Sequence, residues 1–168
     1  MDFEGRVKPL FFYMISKEEI EIFLNKQLEG TQHFLVEVDF HGDDHVIIYI
    51  DSYDKFTHND CIQVTKELQQ EFGSSLDDLT ITVSSAGLDR PLRLSQQYYK
   101  NIGKRVRVVC FDGRVYEGVL VNLDAEKITL RPQIPFHKGK QIVYKDLPFI
   151  DIDFHSIKQT TRIINNNF

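Results

Sequence analysis

A nine-residue segment, Ser-Ser-Ala-Gly-Leu-Asp-Arg-Pro-Leu at positions 84–92, separates two halves of the chain that have different patterns. It follows an apolar–polar alternation typical of a strand, at residues 79–83. Gly87 can adopt backbone angles that other residues avoid, and Pro91 favours extended geometry in the residue before it. We therefore predict that this segment is a loop joining two domains.

The first half has the pattern of an αββαβ domain. Ser16 and Glu19 have the spacing of a capping box, which begins a helix, and Gly30 ends the apolar repeat that follows. Alternation of apolar and polar residues then indicates a strand at 34–40, and a short, almost wholly apolar run indicates a strand at 46–50. The predicted elements are a helix over residues 16–30, strands over 34–40 and 46–50, a helix over 57–73 and a strand over 79–83.

The second half is predicted to be mostly β. Asp112-Gly113 is a strong hairpin signal, and Gly118 within the next strand suggests a bulge or a sharp bend. Short strands separated by frequent turns are typical of a small closed barrel. The predicted elements are a helical turn at 95–99, strands at 105–109, 115–123, 128–130, 142–144, 149–154 and 162–164, and a loop at 132–139.

Length and composition fit this division. The 168 residues can hold two small domains, and 42% of them are hydrophobic and 27% charged, as in globular proteins. The longest apolar run, residues 10–15, is too short to cross a bilayer. Two distant cysteines without a CxxC pattern fit a reducing compartment. We expect a cytoplasmic α+β protein with an extension at 1–13, an acidic domain at 14–91 and a basic domain at 92–168.

The two halves carry opposite charge. Residues 1–91 contain 18 acidic and 7 basic side chains, a net charge of −11. Residues 92–168 contain 13 basic and 7 acidic side chains, a net charge of +6. An acidic surface selects basic partners and a basic surface selects acidic ones, such as RNA. An uneven distribution by chance is the simpler alternative.

No pattern of an enzyme or of a metal centre is present in the sequence. Ser84 and Ser85 lack the Gly-x-Ser-x-Gly turn of a nucleophile elbow, and the chain has no phosphate-binding glycine loop. His41 and His45 flank two aspartates, a pattern that a polar hairpin turn explains better than a metal site. We expect no catalysis, no metal and no cofactor.

Two groups of residues are candidates for binding. The basic residues around the Asp112-Gly113 hairpin are candidate contacts to RNA, although an ordinary charged exterior explains them equally well; they are Lys104, Arg105, Arg107 and Arg114. The nine-residue segment is expected to bind a partner or to hold the two domains together. Its candidate residues are Ser84, Ser85, Gly87, Leu88, Asp89, Arg90 and Pro91.

Residues 14–168 resemble the ribosome maturation factor RimP family. Residues 84–92 are similar to the signature Ser-Ser-Pro-Gly-Leu-Asp-Arg-Pro-Leu of that family. The segment around Tyr98, Tyr99 and Gly103 and the Asp112-Gly113 hairpin look similar too. Phe-His-Ser-Ile-Lys at 154–158 resembles the family's Phe-Glu-Asp-Ile-Lys.

The resemblance implies an αββαβ (KH-like) N-terminal domain and a small Sm-like (SH3-like) β-barrel at the C-terminus. It also implies a monomeric, non-catalytic factor for maturation of the small (30S) ribosomal subunit. Its expected partners are the immature subunit and a basic small-subunit ribosomal protein, with 16S ribosomal RNA as a further candidate and no membrane. The first half lacks the GxxG loop of RNA-binding KH domains. The alternative function is that of an Sm-like RNA-binding regulator.

Three features depart from the family pattern. Ala86 replaces the usual proline of the signature, which predicts a less rigid turn. Residues 132–148 make the loop of the expected barrel unusually long. Residues 1–13 precede the usual start of the family.

Overall fold

The computed structural model describes residues 14–87 and 90–164. The chain divides between Ala86 and Gly87 into two compact units, which we call the first and the second unit. The predicted extension at 1–13 and the candidate residues Leu88 and Asp89 lie outside the described residues. The domain limits proposed from the sequence, 14–91 and 92–168, stay predictions.

The first unit has its described elements in the predicted αββαβ order. Two helices and three strands account for most of it, and a short 3-10 helix, Gly73–Leu76, precedes the last strand. In chain order they are α1 (Lys17–Leu28), β1 (His33–His41), β2 (His45–Ser52), α2 (His58–Phe72) and β3 (Thr80–Ser85).

Both long helices begin at the predicted caps. The Ser16 hydroxyl accepts the Glu19 backbone N–H at 3.2 Å, and the Glu19 carboxylate accepts the Ser16 N–H at 2.9 Å. Thr57 and Asp60 make the same reciprocal pair at the start of α2. These bonds satisfy backbone donors that have no partner within the helix, so each start is well determined.

The core of the first unit lies between the helices and a three-stranded sheet ordered β1-β2-β3. β1 runs antiparallel to β2, and β3 runs parallel to β2. Ile20 and Leu24 of α1 and Leu68 of α2 are fully buried against this sheet. Burying each such side chain contributes about 1.5–3 kcal/mol.

β3 is longer than its predicted length, because Ser84 and Ser85 belong to it. They pair with Tyr49 and Ile50 of β2. The Ala86 N–H extends the ladder by donating to the Ile50 carbonyl at 2.9 Å. The loop that the sequence predicts from position 84 therefore begins two residues later.

The second unit contains one short helix and six strands among its described residues, with a 3-10 helix at Phe154–Ser156. The elements are α3 (Ser95–Lys100), β4 (Arg105–Cys110), β5 (Val115–Leu123), β6 (Lys127–Lys138), β7 (Gln141–Asp146), β8 (Ile150–Asp153) and β9 (Ile157–Arg162). Their core includes Val106, Val108, Leu120 and Leu130, all fully buried. Inside it, the Tyr98 hydroxyl donates to Thr160 Oγ1 at 2.8 Å.

The described strands of the second unit form an open sheet. Their order is β7-β6-β5-β4-β9, and β8 pairs with β6 beside this path. β9 pairs only with β4 in the described part of the chain, so no ladder joins the two ends. The α+β class is confirmed, but the closed barrel expected from the sequence is not found.

The predicted loop at 132–139 is wrong, because β6 continues through it to Lys138 and turns back at Gly139 into β7. Pro132 and Pro135 lack a backbone N–H, which argues against a central strand. Beyond Pro132, however, β6 pairs with β7 alone, so one of its edges needs no donor.

The bulge or bend that the sequence predicts in β5 at Gly118 occurs two to four residues later in the strand. The register with β6 shifts between Leu120 and Asn122. Gly118 is instead a point of close approach, where a Cβ atom would lie 2.7 Å from Pro132 Cα. The glycine is required here because the backbone of β6 occupies the space of a side chain.

Candidate functional site

The signature segment leaves β3 at Ala86, which belongs to no helix or strand. Ala86 is almost fully buried, and Gly87 has a φ of +73°, a conformation that strongly favours glycine. Arg90 is half-buried and Pro91 is exposed. The Leu92 N–H donates to the Thr160 carbonyl at 2.8 Å, which attaches the end of the segment to β9. The predicted role of Asp89 with Arg90 stays a prediction, since Asp89 is outside the described residues.

The serines of this segment have structural hydrogen bonds. Ser84 Oγ donates to the Ser85 carbonyl at 3.2 Å. Their backbones belong to the ladder between β2 and β3. A nucleophilic serine needs a base within hydrogen-bonding reach, whereas the Ser84 hydroxyl donates to a backbone carbonyl.

Two of the four predicted RNA contacts lie on β4 and differ in exposure. Arg107 is exposed, and its Nε lies 3.5 Å from Glu117 Oε1 on β5. Arg105 is half-buried: its guanidinium carbon lies 3.8 Å from the centre of the Tyr144 ring. Its Nε donates to Gln133 Oε1 at 3.0 Å. Arg105 therefore joins the main sheet to the β6–β7 hairpin.

The other two predicted contacts flank β4. Lys104 is exposed just before this strand. Arg114, in the hairpin turn, holds Asp112 Oδ2 at 2.7 Å. This hydrogen bond lowers the pKa of Asp112 and raises that of Arg114. Both side chains are exposed, so the pair contributes little to stability.

An acidic groove on the first unit was not anticipated from the sequence. It is lined by the apolar side chains of Met14, Phe40 and Leu79 and has a volume of about 240 Å³. Asp43 and Asp78, both exposed, stand at its rim. We call these residues the acidic groove.

The parallel pairing of β2 with β3 explains why acidic residues from two distant segments lie at one end of the sheet. Residues 43–44 and 77–78 are Asp-Asp pairs that come shortly before β2 and β3. Parallel pairing places His45 opposite Thr80, and the Thr80 N–H donates to the Asp44 carbonyl at 2.7 Å. Four acidic side chains therefore lie at the same end of the sheet. The sequence signal was the repeated Asp-Asp pair ahead of two strands.

The histidines singled out in the sequence have ordinary polar partners. His41 Nε2 lies 3.1 Å from Asp39 Oδ2, and His45 Nε2 lies 2.9 Å from Thr82 Oγ1. No cluster of three or more His, Cys, Asp or Glu side chains suited to a metal ion occurs in residues 14–87 and 90–164. No helix in these same ranges is long and apolar enough to cross a membrane.

The fold and surfaces define a two-unit α+β protein with an acidic groove on the first unit and basic residues on the second. Comparison with known proteins identifies its family, although no family model matches the chain. The chain is 32% identical over 151 residues to the ribosome maturation factor RimP of Christiangramia forsetii, covering 86% of this chain and 98% of the relative. It therefore belongs to the RimP family of ribosome maturation factors, as the signature predicts.

Two further relatives carry the same name. The factor of Porphyromonas gingivalis is 26% identical over 152 residues, covering 90% of this chain and 100% of the relative. The factor of Flavobacterium psychrophilum is 27% identical over 135 residues, covering 77% of this chain and 87% of the relative. All three alignments span most of both proteins, so the similarity extends across both units.

Proposed function

We propose that this protein is a non-catalytic assembly factor for the small (30S) ribosomal subunit. It binds a basic small-subunit ribosomal protein through its first unit and contacts 16S ribosomal RNA in the immature particle through its second. It acts in the cytoplasm as a monomer, and its units correspond to the KH-like and Sm-like domains of the family. The shared name of the relatives supports the ribosomal role.

The observation that carries the protein-binding half of this proposal is the acidic groove. Ribosomal proteins of the small subunit are rich in lysine and arginine, whose long stems are apolar and whose ends are cationic. Met14, Phe40 and Leu79 provide an apolar floor for such a stem. Asp43 and Asp78 provide charge for its end, and complementary charge accelerates docking and excludes acidic competitors.

Reversing the charge of the groove is expected to weaken this binding. In an Asp43→Lys/Asp78→Lys variant, association with a basic small-subunit ribosomal protein should slow by on the order of tenfold at low salt. The difference from wild type should shrink as salt rises, because exposed charges are screened. Biolayer interferometry of the full chain against individually purified small-subunit proteins measures the rate.

The matched control is Glu29→Lys/Glu71→Lys, which changes net charge equally at exposed positions outside the groove. We expect it to bind almost as wild type does. Equal slowing in both variants would show that net charge alone attracts the partner. No slowing in the groove variant would contradict the proposal that the acidic groove binds the ribosomal protein.

A further inference from the structure

The β6–β7 hairpin extends from the second unit as a two-stranded arm. Residues 133–138 pair with 141–146 and form no other ladder in the described chain. Gly139, with a φ of +66°, supplies the turn. We call residues 133–146 the hairpin arm. A ribbon of this kind has two faces, and cross-strand partners share a face.

One face of the arm is open and cationic. Its central pair is Phe136 opposite Val143, and Ile134 lies beside it. Phe136 is 48% exposed and Ile134 is 47% exposed. Lys138 and Lys145 flank this apolar centre from opposite ends, about 13 Å apart along the ribbon at a rise of roughly 3.3 Å per residue.

The opposite face is already occupied near its base. Tyr144 is covered by the guanidinium of Arg105 at 3.8 Å. The only carboxylate of the arm, Asp146, accepts from Gln133 Nε2 at 2.7 Å and lies 3.6 Å from Arg131 Nε. By contrast, none of the three lysines of the arm has an ion pair with any residue that the structure describes. The Phe136 face therefore presents lysines that have no ion pair in the described chain, next to a half-exposed aromatic ring.

We propose that this face binds unpaired RNA, with a base stacked on Phe136 and phosphates at Lys138 and Lys145. Aromatic rings flanked by basic side chains bind single strands in this way, and the stacking tolerates any base. A ribbon two strands wide offers room for one or two bases, which is far less area than a stable protein interface buries. Lysine is also depleted in protein interfaces.

This inference rests on the proposed function and deepens it, because it assigns the ribosomal RNA contact to a surface separate from the candidate residues at the β4–β5 hairpin. The sequence hid the surface because residues 132–139 read as a loop. In the structure, residues 133–138 form a strand paired with β7, and this pairing places Phe136, Lys138 and Lys145 on one face.

Fluorescence anisotropy of the full chain with a labelled U12 oligoribonucleotide tests the arm. Phe136→Ala should weaken binding about fivefold or more. In Lys138→Ala/Lys145→Ala, the negative slope of log affinity against log salt should become less steep by about 1.4, because two phosphate contacts to a single strand are lost. Phe136 is half exposed, so neither variant should shift the thermal unfolding midpoint.

The matched controls are Tyr99→Ala, an exposed aromatic residue on α3, and Lys55→Ala/Lys66→Ala, two exposed lysines of the first unit. Both should bind U12 as wild type does. Equal losses in the controls, unchanged binding in the arm variants, or no binding of U12 by wild type would overturn the assignment. These outcomes leave the ribosomal-protein measurement unaffected, since that assay reports on the acidic groove.

Discussion

Gly118→Ala is expected to destabilise the second unit by about 3 kcal/mol or more, because the added methyl group would clash with backbone atoms and force the strands to move. A Cβ atom at this position would lie 2.7 Å from Pro132 Cα and 2.8 Å from the Arg131 carbonyl carbon. Both are backbone atoms of β6, so the clash cannot be relieved by a side-chain rotation. β5 and β6 must separate, and with them the core that Leu120 and Leu130 share.

Hydrogen exchange followed by mass spectrometry, on peptides covering residues 105–132, measures this loss within the second unit. Gly139→Ala is the control, since a Cβ there meets nothing within 4 Å and its cost, about 1 kcal/mol, comes from the positive φ alone. Similar exchange in the two variants would contradict the close approach of β5 and β6.

Ile20→Ala is expected to destabilise the first unit by about 2–5 kcal/mol, the range for a large buried aliphatic side chain cut to alanine. Ile20 is 0% exposed and packs in the core that α1 and α2 share with the sheet. Its removal leaves a cavity that β1 and β2 cannot fill without moving. Urea denaturation followed by circular dichroism at 222 nm measures the change in the unfolding free energy.

Ile22→Ala provides the matched comparison in the same helix. Ile22 is 71% exposed. The same substitution should change stability by no more than about 0.5 kcal/mol, because little apolar surface is lost and alanine is the better helix former. Equal losses at the two positions would mean that α1 does not bury the face described above.

Much of the first unit could be predicted because local signals determine it. The Ser16 and Thr57 caps are each complete within four residues, so the sequence alone shows where α1 and α2 begin. The alternation at 34–40 and the apolar run at 46–50 likewise predict strands where β1 and β2 lie, but they do not predict that the adjacent Phe34 and Leu35 are both buried. The Asp112-Gly113 turn was predictable for the same reason, since Gly113 has a φ of +89° in a short hairpin.

Features that depend on distant partners could not be predicted. Pro132 and Pro135 are unfavourable in a strand by local criteria, and only the absence of a second neighbour beyond Pro132 makes them acceptable. The close packing at Gly118 depends on Pro132, fourteen residues away. The acidic groove depends on the parallel register of β2 and β3, which no sequence pattern specifies.

The most direct test of the central claim is the ribosome profile of cells that lack this protein, read together with the length of their 16S ribosomal RNA. We expect a shortage of mature small subunits and an accumulation of precursor 16S RNA, corrected by the wild-type gene and only weakly by the Asp43→Lys/Asp78→Lys variant. Unchanged small subunits and fully processed 16S RNA at low, ordinary and high growth temperatures would contradict it.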